Sequence, residues 1–481
     1  MKTVYLLYPE KRGTIAPELY GHFTEHIGGV FYDGLWVGKD SSIPNIKGFR
    51  KEIIEKLRAI KAPVIRWPGG CYAETYDWRD GIGENRPMRI NWWTQNDGRY
   101  EPNAVGTHEF MDLCEAVGAD AYFAANLTSV TPLHIRNWMD YCLSPKGTTA
   151  LAKEREQNGH PEPFNVPFWG VGNENWGGGG NMQPDYYANE FRRFSTIMNN
   201  AFPKTELFAC GENARDFDWT DGLMRNLRNS EKHMQGFAMH YYCGAAGDPV
   251  AFSEAEWTQQ LEQAAEMEQI IQRNWHIICG YGMQNYAKLV IDEWGCWHPD
   301  GSGPSKGYNL FEQQSTMRDA MVTVLTLNIF NNHCEKIRMA NAAQMVNNLH
   351  CLFLAGGEHC IVTPTYHVFD MYKEHQGAQA VRTVVTENEE FASSITVSAS
   401  RKDGKTLVTI GNLSCTEDAE ITLEGVGGGI PMQAKAILLH HGDMHAHNTF
   451  EAPETVVPQE LVLDVTKPIM VPKAGILAIR F

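Results

Sequence analysis

The stretch Phe168-Trp169-Gly170-Val171-Gly172-Asn173-Glu174-Asn175 decides the fold prediction for this chain. Its apolar first half is typical of a buried strand, and it ends on a polar Asn-Glu pair. A second stretch, Lys288-Leu289-Val290-Ile291-Asp292-Glu293-Trp294, follows the same pattern. In a parallel α/β barrel, the side chains at the strand ends leave the packed interior and meet solvent. The two stretches therefore predict strands of one barrel with Glu174 and Glu293 at its open end.

Strand and helix signals alternate through the rest of the first 370 residues. Helical spacing of apolar residues predicts helices over 45–60, 107–117, 184–198, 253–274 and 312–331. The predicted strands cover 19–23, 63–67, 121–127, 168–174, 206–210, 236–240, 288–294 and 336–340. Repeated strand–helix units of this kind predict an α/β fold, a (β/α)8 TIM barrel over residues 15–370.

The pattern changes after about residue 371. Short β-branched or alternating segments follow one another, separated by glycine and proline turns. They predict a C-terminal all-β sandwich, jelly-roll-like, over residues 371–481. The strand-like segment at 1–14 precedes the first barrel strand, and we expect it to join this second domain.

Charge and composition limit the possible partners. The chain has 481 residues with 41 basic and 58 acidic side chains, a net charge of −17. This charge disfavours nucleic acid and suits an uncharged partner such as a glycan. No run of 18 uncharged apolar residues occurs, so we expect no membrane span.

The cysteines and the N-terminus indicate the compartment. The 11 cysteines are odd in number and irregularly spaced, without a C-x-x-C pair. This usage is typical of reduced thiols, and no signal peptide is visible. We therefore expect a cytoplasmic protein, while a leader trimmed from the sequence stays open.

The two glutamates carry the functional prediction. A single Glu after a strand is more simply read as a surface residue. Here two of them follow buried strands, and each has tryptophans close by in sequence: Trp169, Trp176, Trp294 and Trp297. Aromatic rings offer flat surfaces to a sugar and lower the local dielectric, which raises the pKa of an acid. The pattern favours a glycosidase, which needs one acid and one carboxylate nucleophile.

Asn173 indicates which of the two glutamates is the acid and which is the nucleophile. An amide next to the acid can hold the 2-hydroxyl of the sugar, a contact that strengthens in the transition state. An Asn-Glu strand followed by a later Glu strand is the pattern of one clan of retaining glycosidases. Glu174 is then the acid/base and Glu293 the nucleophile, with carboxyl groups about 5–5.5 Å apart.

The chain resembles glycoside hydrolase family 51, the α-L-arabinofuranosidases, along nearly its whole length. Besides the Asn173-Glu174 strand, five motifs carry the resemblance in the family's order: Gly21-His22-Phe23-Thr24-Glu25-His26, Ile65-Arg66-Trp67-Pro68-Gly69-Gly70-Cys71, Trp78-Arg79-Asp80-Gly81-Ile82-Gly83, Asp292-Glu293-Trp294 and Ala340-Asn341-Ala342-Ala343-Gln344. The tail segment at 443–451 is also similar to the family's C-terminal domain. Six ordered motifs are far more specific than any one of them.

The resemblance implies further substrate-binding residues. Arg66 should hold the nucleophile by charge-assisted hydrogen bonds, and His240 and Tyr242 should contact the two carboxylates. Trp297, with Trp92 or Trp93, should stack on the leaving-group side. The remaining implied sugar contacts are Glu25, Cys71, Asn126 and Gln344. Purely structural readings of Cys71, Asn126 and His240 stay open, whereas function is favoured for Arg66 and Tyr242.

Three other motifs are discounted. His22 and His26 are spaced like a metal pair only on a helix, and no third ligand is evident. The cluster of His440, His441, His445 and His447 lies in the β domain and is more simply a turn. The run 177–180 lacks the Lys-Ser/Thr of a phosphate loop, so we expect it to let a loop pass close to the substrate.

These observations combine into one functional expectation. The chain should be an exo-acting, retaining hydrolase of terminal α-L-arabinofuranosyl units on arabinoxylan or arabinan oligosaccharides. Alternatives are β-D-xylosidase or β-glucanase activity on the same fold, and, less favoured because both carboxylates are present, a non-catalytic carbohydrate-binding protein. The resemblance implies no cofactor, no metal and a homo-oligomer, a hexamer in many relatives.

Overall fold

The computed structural model describes residues 1–227, 230–386, 390–391 and 394–481. The chain divides into two compact units. One comprises Gly21–Tyr241 and Ile270–Glu293, and the other comprises Met1–Tyr20, Tyr242–Gln269 and Trp294–Phe481.

Eight strands from the described residues close into a parallel barrel, which confirms the predicted barrel fold. In chain order they are Gly21–Phe23, Val64–Trp67, Asp120–Ala125, Phe168–Val171, Glu206–Asn213, Gly236–Cys243, Lys288–Cys296 and Ile337–Ala342. Strands buried on both faces read as continuous apolar runs, and Val64–Trp67 and Phe168–Val171 are buried at every position.

Helices follow most of the barrel strands. They are Lys51–Ala59, Thr94–Asp97, Thr107–Val117, Pro132–Leu143, Ala150–Gln157, Pro184–Ala201, Phe217–Asn226, Glu254–Gly280, Met317–Asn332 and Pro364–Tyr372. Short 3-10 helices lie at Pro17–Tyr20, Cys71–Thr75, Trp78–Gly81, Glu231–His233, Met283–Asn285 and Lys373–His375. Among the described residues, no helix combines the length and the apolar content that crossing a bilayer requires.

Two predicted helices begin later than expected. Residues 45–50 form a small hairpin of Asn45–Ile46 with Phe49–Arg50, because Lys47 and Gly48 turn the chain at positive φ. The helix expected from 312 begins at Met317, since Thr316 and Asp319 form a capping box there. Local periodicity located both helices, but capping and turn chemistry decided where they start.

The all-β domain is built from one continuous mixed sheet. Its nine described strands are Lys2–Thr14, Gln379–Val385, Ile395–Lys402, Lys405–Asn412, Ala419–Val426, Gln433–Leu439, Gln459–Asp464, Ile469–Val471 and Ile476–Arg480. The sheet nearly closes on itself around an apolar core. The N-terminal strand pairs antiparallel with Gln379–Val385 and parallel with Ala419–Val426.

Two further hairpins complete the described elements. Arg89–Ile90 pairs with Tyr100–Glu101, and Phe353–Gly356 pairs with His359–Val362. The first of these hairpins encloses the segment with Trp92 and Trp93. All eleven cysteines are free thiols.

Candidate active site

The predicted site residues of the first compact unit lie at or just beyond the carboxyl ends of barrel strands. Arg66 and His240 belong to the second and sixth strands, and Glu293 belongs to the seventh. Glu25 and Glu174 follow the first and fourth strands by two or three residues. Because the strands are parallel, these ends share one rim of the barrel.

Arg66 is the centre of a buried charge network. Its Nη1 donates to Glu293 Oε1 at 2.7 Å, and its Nη2 donates to Asn173 Oδ1 at 2.6 Å. Its Nε lies 3.1 Å from Asp292 Oδ2. Burial alone lowers the pKa of Arg66, but the charges of Asp292 and Glu293 outweigh burial and raise it overall. Arg66 thus ties the two sequence motifs, Asn173-Glu174 and Asp292-Glu293, to one cation.

His240 lies between the two predicted catalytic carboxylates. Its Nδ1 is 2.9 Å from Glu174 Oε1 and 3.5 Å from Glu293 Oε2. The Nδ1 atom and one oxygen of each carboxylate all lie within 4.8 Å of one another. With two acceptors facing it, this nitrogen carries a proton and donates it.

The charges of Glu174, His240 and Glu293 shift the pKa values of Glu174 and of His240. Burial raises the pKa of Glu174, but the hydrogen bond and the positive charge of His240 outweigh burial, so the pKa falls below its ordinary value. Burial lowers the pKa of His240, but the charges of Glu293 and Glu174 raise it overall. Both shifts favour a carboxylate on Glu174 and an imidazolium on His240.

Glu25 is a third buried carboxyl group of the site. It accepts from the backbone N–H of Tyr72 at 3.0 Å and from Trp93 Nε1 at 3.2 Å. Burial, followed by the charge of Glu293, raises the pKa of Glu25 to about 7. A Cβ atom on Gly70 would come within 3.1 Å of Glu293 Oε1 and 3.3 Å of Glu25 Oε2, so a larger residue would displace these carboxyl groups by a few tenths of an ångström.

Glu74 holds the loop that carries Asn173 and Glu174 by hydrogen bonds. The sequence did not predict this role for Glu74. Glu74 Oε1 accepts from the backbone N–H of Asn173 at 2.6 Å and from Asn175 Nδ2 at 2.9 Å. Its Oε2 accepts two further backbone N–H groups, those of Leu127 and Thr128. Nothing in the sequence separates Glu74 from an ordinary surface glutamate.

Asn173 offers one donor to a ligand. Its Oδ1 accepts from Arg66, whereas its buried Nδ2 has no hydrogen-bond partner among the described residues. Buried donors without a partner are uncommon and often mark a place that a ligand or water fills. The role of Asn173 as an amide that holds a sugar hydroxyl stays a prediction.

The glycine run 177–180 packs against the same loop. A Cβ atom on Gly179 would lie 1.8 Å from the Asn173 carbonyl oxygen, so this position requires glycine. At Gly178 a Cβ would meet Cys71 Sγ at 3.0 Å and the ring of Trp92 at 3.4 Å. The loop passes close to the site, as the sequence predicted.

Cys71 faces the proposed acid. Its Sγ lies 3.7 Å from Glu174 Oε2. Burial, together with the charge of Glu174, raises the pKa of the Cys71 thiol well above its ordinary value. The thiol is therefore neutral and acts as a small polar wall of the site.

The other predicted site residues have different surroundings. Asn126 donates to Ser129 Oγ at 2.7 Å and to the carbonyl of Tyr76 at 3.2 Å, and so it holds its own loop. Three more belong to the second compact unit. There the rings of Tyr242 and Trp297 meet edge to face at 5.2 Å, and Gln344 is buried.

Two tryptophans expected near a sugar are core residues instead. Trp169 is fully buried and packs on Phe123 at 5.1 Å and Trp138 at 5.3 Å. Trp294 is buried as well and packs on Phe330 at 5.5 Å. Side chains alternate along a strand, so Trp294, directly after Glu293, points to the opposite face of its strand.

The discounted histidines have ordinary partners. His26 accepts from Trp67 Nε1 at 2.9 Å, and its other nitrogen lies 3.1 Å from Glu101. His445 bonds Asp443 at 2.8 Å and the Phe252 carbonyl at 2.7 Å, which holds a turn. Two groups of described side chains bring possible metal ligands within 4.8 Å of one another: Glu174, His240 and Glu293, and Cys296, His298 and Asp319.

Comparison with known families identifies relatives over the whole chain. The family model described as "Alpha-L-arabinofuranosidase 1 domain" matches residues 56–259, and the one described as "Alpha-L-arabinofuranosidase C-terminal domain" matches residues 292–471. An intracellular exo-α-L-arabinofuranosidase of Bacteroides ovatus is 36% identical over 462 residues, 92% of this chain and 88% of the relative.

Solved structures agree with the sequence relatives. The GH51 arabinofuranosidase of Xanthomonas axonopodis pv. citri is 36% identical, with a TM-score of 0.92 over 100% of both chains. The α-L-arabinofuranosidase of Thermotoga maritima, solved as an arabinose complex, is 26% identical, with a TM-score of 0.88 over 100% of both chains.

Proposed function

Since this chain belongs to glycoside hydrolase family 51 and is an α-L-arabinofuranosidase, we propose that it releases terminal α-L-arabinofuranosyl units with retention of configuration. The single observation that carries the retaining mechanism is the closeness of Glu174 and Glu293. One oxygen of each lies within 4.8 Å of the other. Retaining glycosidases hold their carboxyl groups about 5–5.5 Å apart, whereas inverting enzymes need about 6.5–9.5 Å to admit a water.

Glu293 is the nucleophile in the first step. Its carboxylate oxygen attacks the anomeric carbon and forms a covalent ester bond while the glycosidic C–O bond breaks. Arg66 supports this role, because its charge-assisted hydrogen bond to Glu293 Oε1 fixes the carboxylate in place. In the second step water attacks the same carbon, the ester bond breaks, and the configuration is restored.

Glu174 is the acid in the first step and the base in the second. The departing oxygen takes a proton from Glu174, and Glu174 later takes one from the attacking water. Before the sugar binds, we infer that this proton is on His240, whose Nδ1 lies 2.9 Å from Glu174 Oε1. A bound sugar excludes water from the pair, which favours the neutral forms, a protonated Glu174 and a neutral His240.

The proposed contacts to the sugar are supported by the positions of Asn173, Glu25 and Cys71 in the site. The Nδ2 of Asn173 is a donor for the 2-hydroxyl. Glu25 and Glu293 both lie beside Gly70, and Cys71 Sγ lies 3.7 Å from Glu174 Oε2. We assign the natural substrates to arabinoxylan and arabinan oligosaccharides. The roles of Asn126, Tyr242, Trp297 and Gln344 stay predictions of the family resemblance.

Nucleophile rescue tests the two roles separately. We expect Glu174→Ala to lose about 10²–10⁴-fold in kcat/KM on natural oligosaccharides but less on aryl α-L-arabinofuranosides with good leaving groups. Azide should restore the rate and give the α-azide with Glu174→Ala and the β-azide with Glu293→Ala. The exposed Glu55→Ala is the control and should keep full activity.

Two outcomes would contradict this assignment. Full activity of Glu174→Ala on oligosaccharides would exclude it as the acid, and a β-anomer as first product of the wild type would exclude retention. A parallel assay on aryl β-D-xylosides and β-glucans tests the alternative specificities. We expect arabinofuranoside hydrolysis to be the faster reaction by a wide margin.

The cellular setting that we propose is the cytoplasm. The Bacteroides ovatus relative is named as intracellular, and the free state of all eleven thiols supports a reducing compartment. We also propose a homo-oligomer. The hairpin side chains Met88, Ile90 and Tyr100 are each more than half exposed, which suits burial against another copy, and light scattering of the purified protein measures the mass.

A further inference from the structure

The proposed catalytic group has the donor set of a transition-metal site. Glu174, His240 and Glu293 supply two carboxylate oxygens and one imidazole nitrogen, and these atoms lie within 4.8 Å of one another. His240 directs the same atom, Nδ1, at both carboxylates. A metal ion that replaces the proton on Nδ1 would face all three donors at once.

The spacings fit the edges of a coordination polyhedron. Ligands about 2.1 Å from Zn²⁺ are about 3.0 Å apart across a right angle and about 3.4 Å apart across a tetrahedral angle. The two measured separations from His240 Nδ1 are 2.9 Å to Glu174 and 3.5 Å to Glu293. The third pair, one oxygen of each carboxylate, lies within 4.8 Å, and binding of one ion would bring these two oxygens to about 3.0–3.4 Å.

The charged groups around Glu174, His240 and Glu293 favour the binding of a divalent cation. Glu25 adds a third buried carboxyl group, and the permanent cation Arg66 lies 2.7 Å from Glu293 Oε1 on its Nη1 side. The Glu174 side chain is 20% exposed, so an ion can enter from solvent. Cys71 Sγ, 3.7 Å from Glu174 Oε2, is a soft donor at the edge of the site.

We propose that Glu174, His240 and Glu293 bind Zn²⁺ or Cu²⁺ when no sugar is present, and that this ion is a reversible inhibitor competitive with the substrate. An imidazole with two carboxylates suits these borderline metals, whereas Mg²⁺ and Ca²⁺ prefer six or more oxygen ligands. Binding moves the Nδ1 proton to solvent and leaves the imidazole neutral. The inhibition part of this proposal rests on the proposed function of Glu174 and Glu293.

The second candidate cluster provides a matched control. Cys296, His298 and Asp319 are also close together, but Asp319 already accepts from Thr316 as part of a helix cap and from His298 at 3.0 Å. All three are almost fully buried, whereas the Glu174 side chain of the proposed site is 20% exposed. A substitution of His298 therefore separates binding at this cluster from binding at the proposed site.

Calorimetry on the metal-free, full-length enzyme tests the proposal without any turnover. We expect one Zn²⁺ per chain, at least tenfold weaker affinity in His240→Gln, and unchanged affinity in His298→Gln. Saturating L-arabinose should weaken Zn²⁺ binding to the wild type. Titration with Mg²⁺ should give no heat of binding. If His240→Gln does not fold, Glu174→Gln and the arabinose competition make the same comparison.

Each contrary result overturns the proposal. Unchanged affinity in His240→Gln, loss of binding only in His298→Gln, or no competition with arabinose would each place the ion elsewhere. Inhibition kinetics then add a separate readout, because Zn²⁺ should raise KM and leave kcat unchanged. If Zn²⁺ binds through His240 while Glu174→Ala and Glu293→Ala stay fully active, the metal site stands and the catalytic assignment fails.

Discussion

Glu174 has a backbone conformation that few residues other than glycine adopt, with φ at +44°. Such a conformation persists only when its surroundings hold it, and it is concentrated at functional sites. Here the support is the Glu74 carboxylate, which accepts the backbone N–H of Asn173 and the side chain of Asn175 on either side of Glu174. Because Glu74 holds two segments, 127–128 and 173–175, through four donors, the position of the proposed acid depends on a residue to which we assign no part in the reaction.

Substitution of Glu74 tests this support. Glu74→Gln places an amide N–H against N–H donors, and each buried group left without a partner costs about 1–3 kcal/mol. We expect lower unfolding free energy and at least a tenfold loss of kcat, with KM less affected. Urea unfolding and steady-state kinetics measure the two effects, and Glu55→Gln on an exposed helix face is the control. Wild-type kcat in a destabilised Glu74→Gln enzyme would show that the contact serves folding alone.

Strand and helix periodicity predicted most elements, but not the polar contacts that join them. Glu212 ends the fifth barrel strand and accepts from Asn274 Nδ2 at 2.5 Å, on the helix Glu254–Gly280. Asn274 in turn accepts from Thr220, on the helix Phe217–Asn226, at 2.7 Å. Glu212 is fully buried, and burial raises its pKa to about 8. A sequence cannot show such a contact, because its three members lie on separate elements.

This contact predicts a pH dependence of stability. Between the ordinary pKa of a glutamate, about 4.5, and about 8, the folded state keeps a proton on Glu212 that the unfolded state has lost. Stability should therefore fall as pH rises through this window, by up to about 1.4 kcal/mol per pH unit. In Glu212→Gln this slope should become shallower, while the exposed Glu262→Gln keeps it. Urea unfolding at a series of pH values gives the slopes, and equal slopes in all three proteins would refute the assignment.

At the scale of the whole molecule, the two ends of the sequence meet in one sheet. The N-terminal strand Lys2–Thr14 lies between Gln379–Val385 and Ala419–Val426, and its Val4 and Leu6 are buried in the core of that sheet. The sequence predicted that this segment would join the β domain. The parallel partner, and the single continuous sheet in place of two facing ones, depended on long-range pairing that local patterns do not encode.

Loss of the N-terminal strand should strongly destabilise the β domain. Leu6→Ala removes a fully buried side chain and should lower the unfolding free energy by about 2–5 kcal/mol. Removal of residues 1–14 should expose two strand edges and give insoluble protein. The exposed Glu10→Ala is the control, and we expect a change below about 1 kcal/mol from its surface ion pair with Arg382. A soluble, cooperatively unfolding truncated enzyme would contradict this view of the sheet.

The sequence by itself determined the barrel, the β domain and the two glutamates at strand ends, because apolar periodicity and strand-terminal polar residues are local properties. Only the tertiary structure decided that His240 directs one nitrogen at both carboxylates, that Glu74 supports the proposed acid, and that Trp169 and Trp294 are buried core residues. These facts depend on the order and register in which distant strands close the barrel. Separations of a few ångströms between residues more than fifty positions apart follow from that closure and from nothing within any one segment.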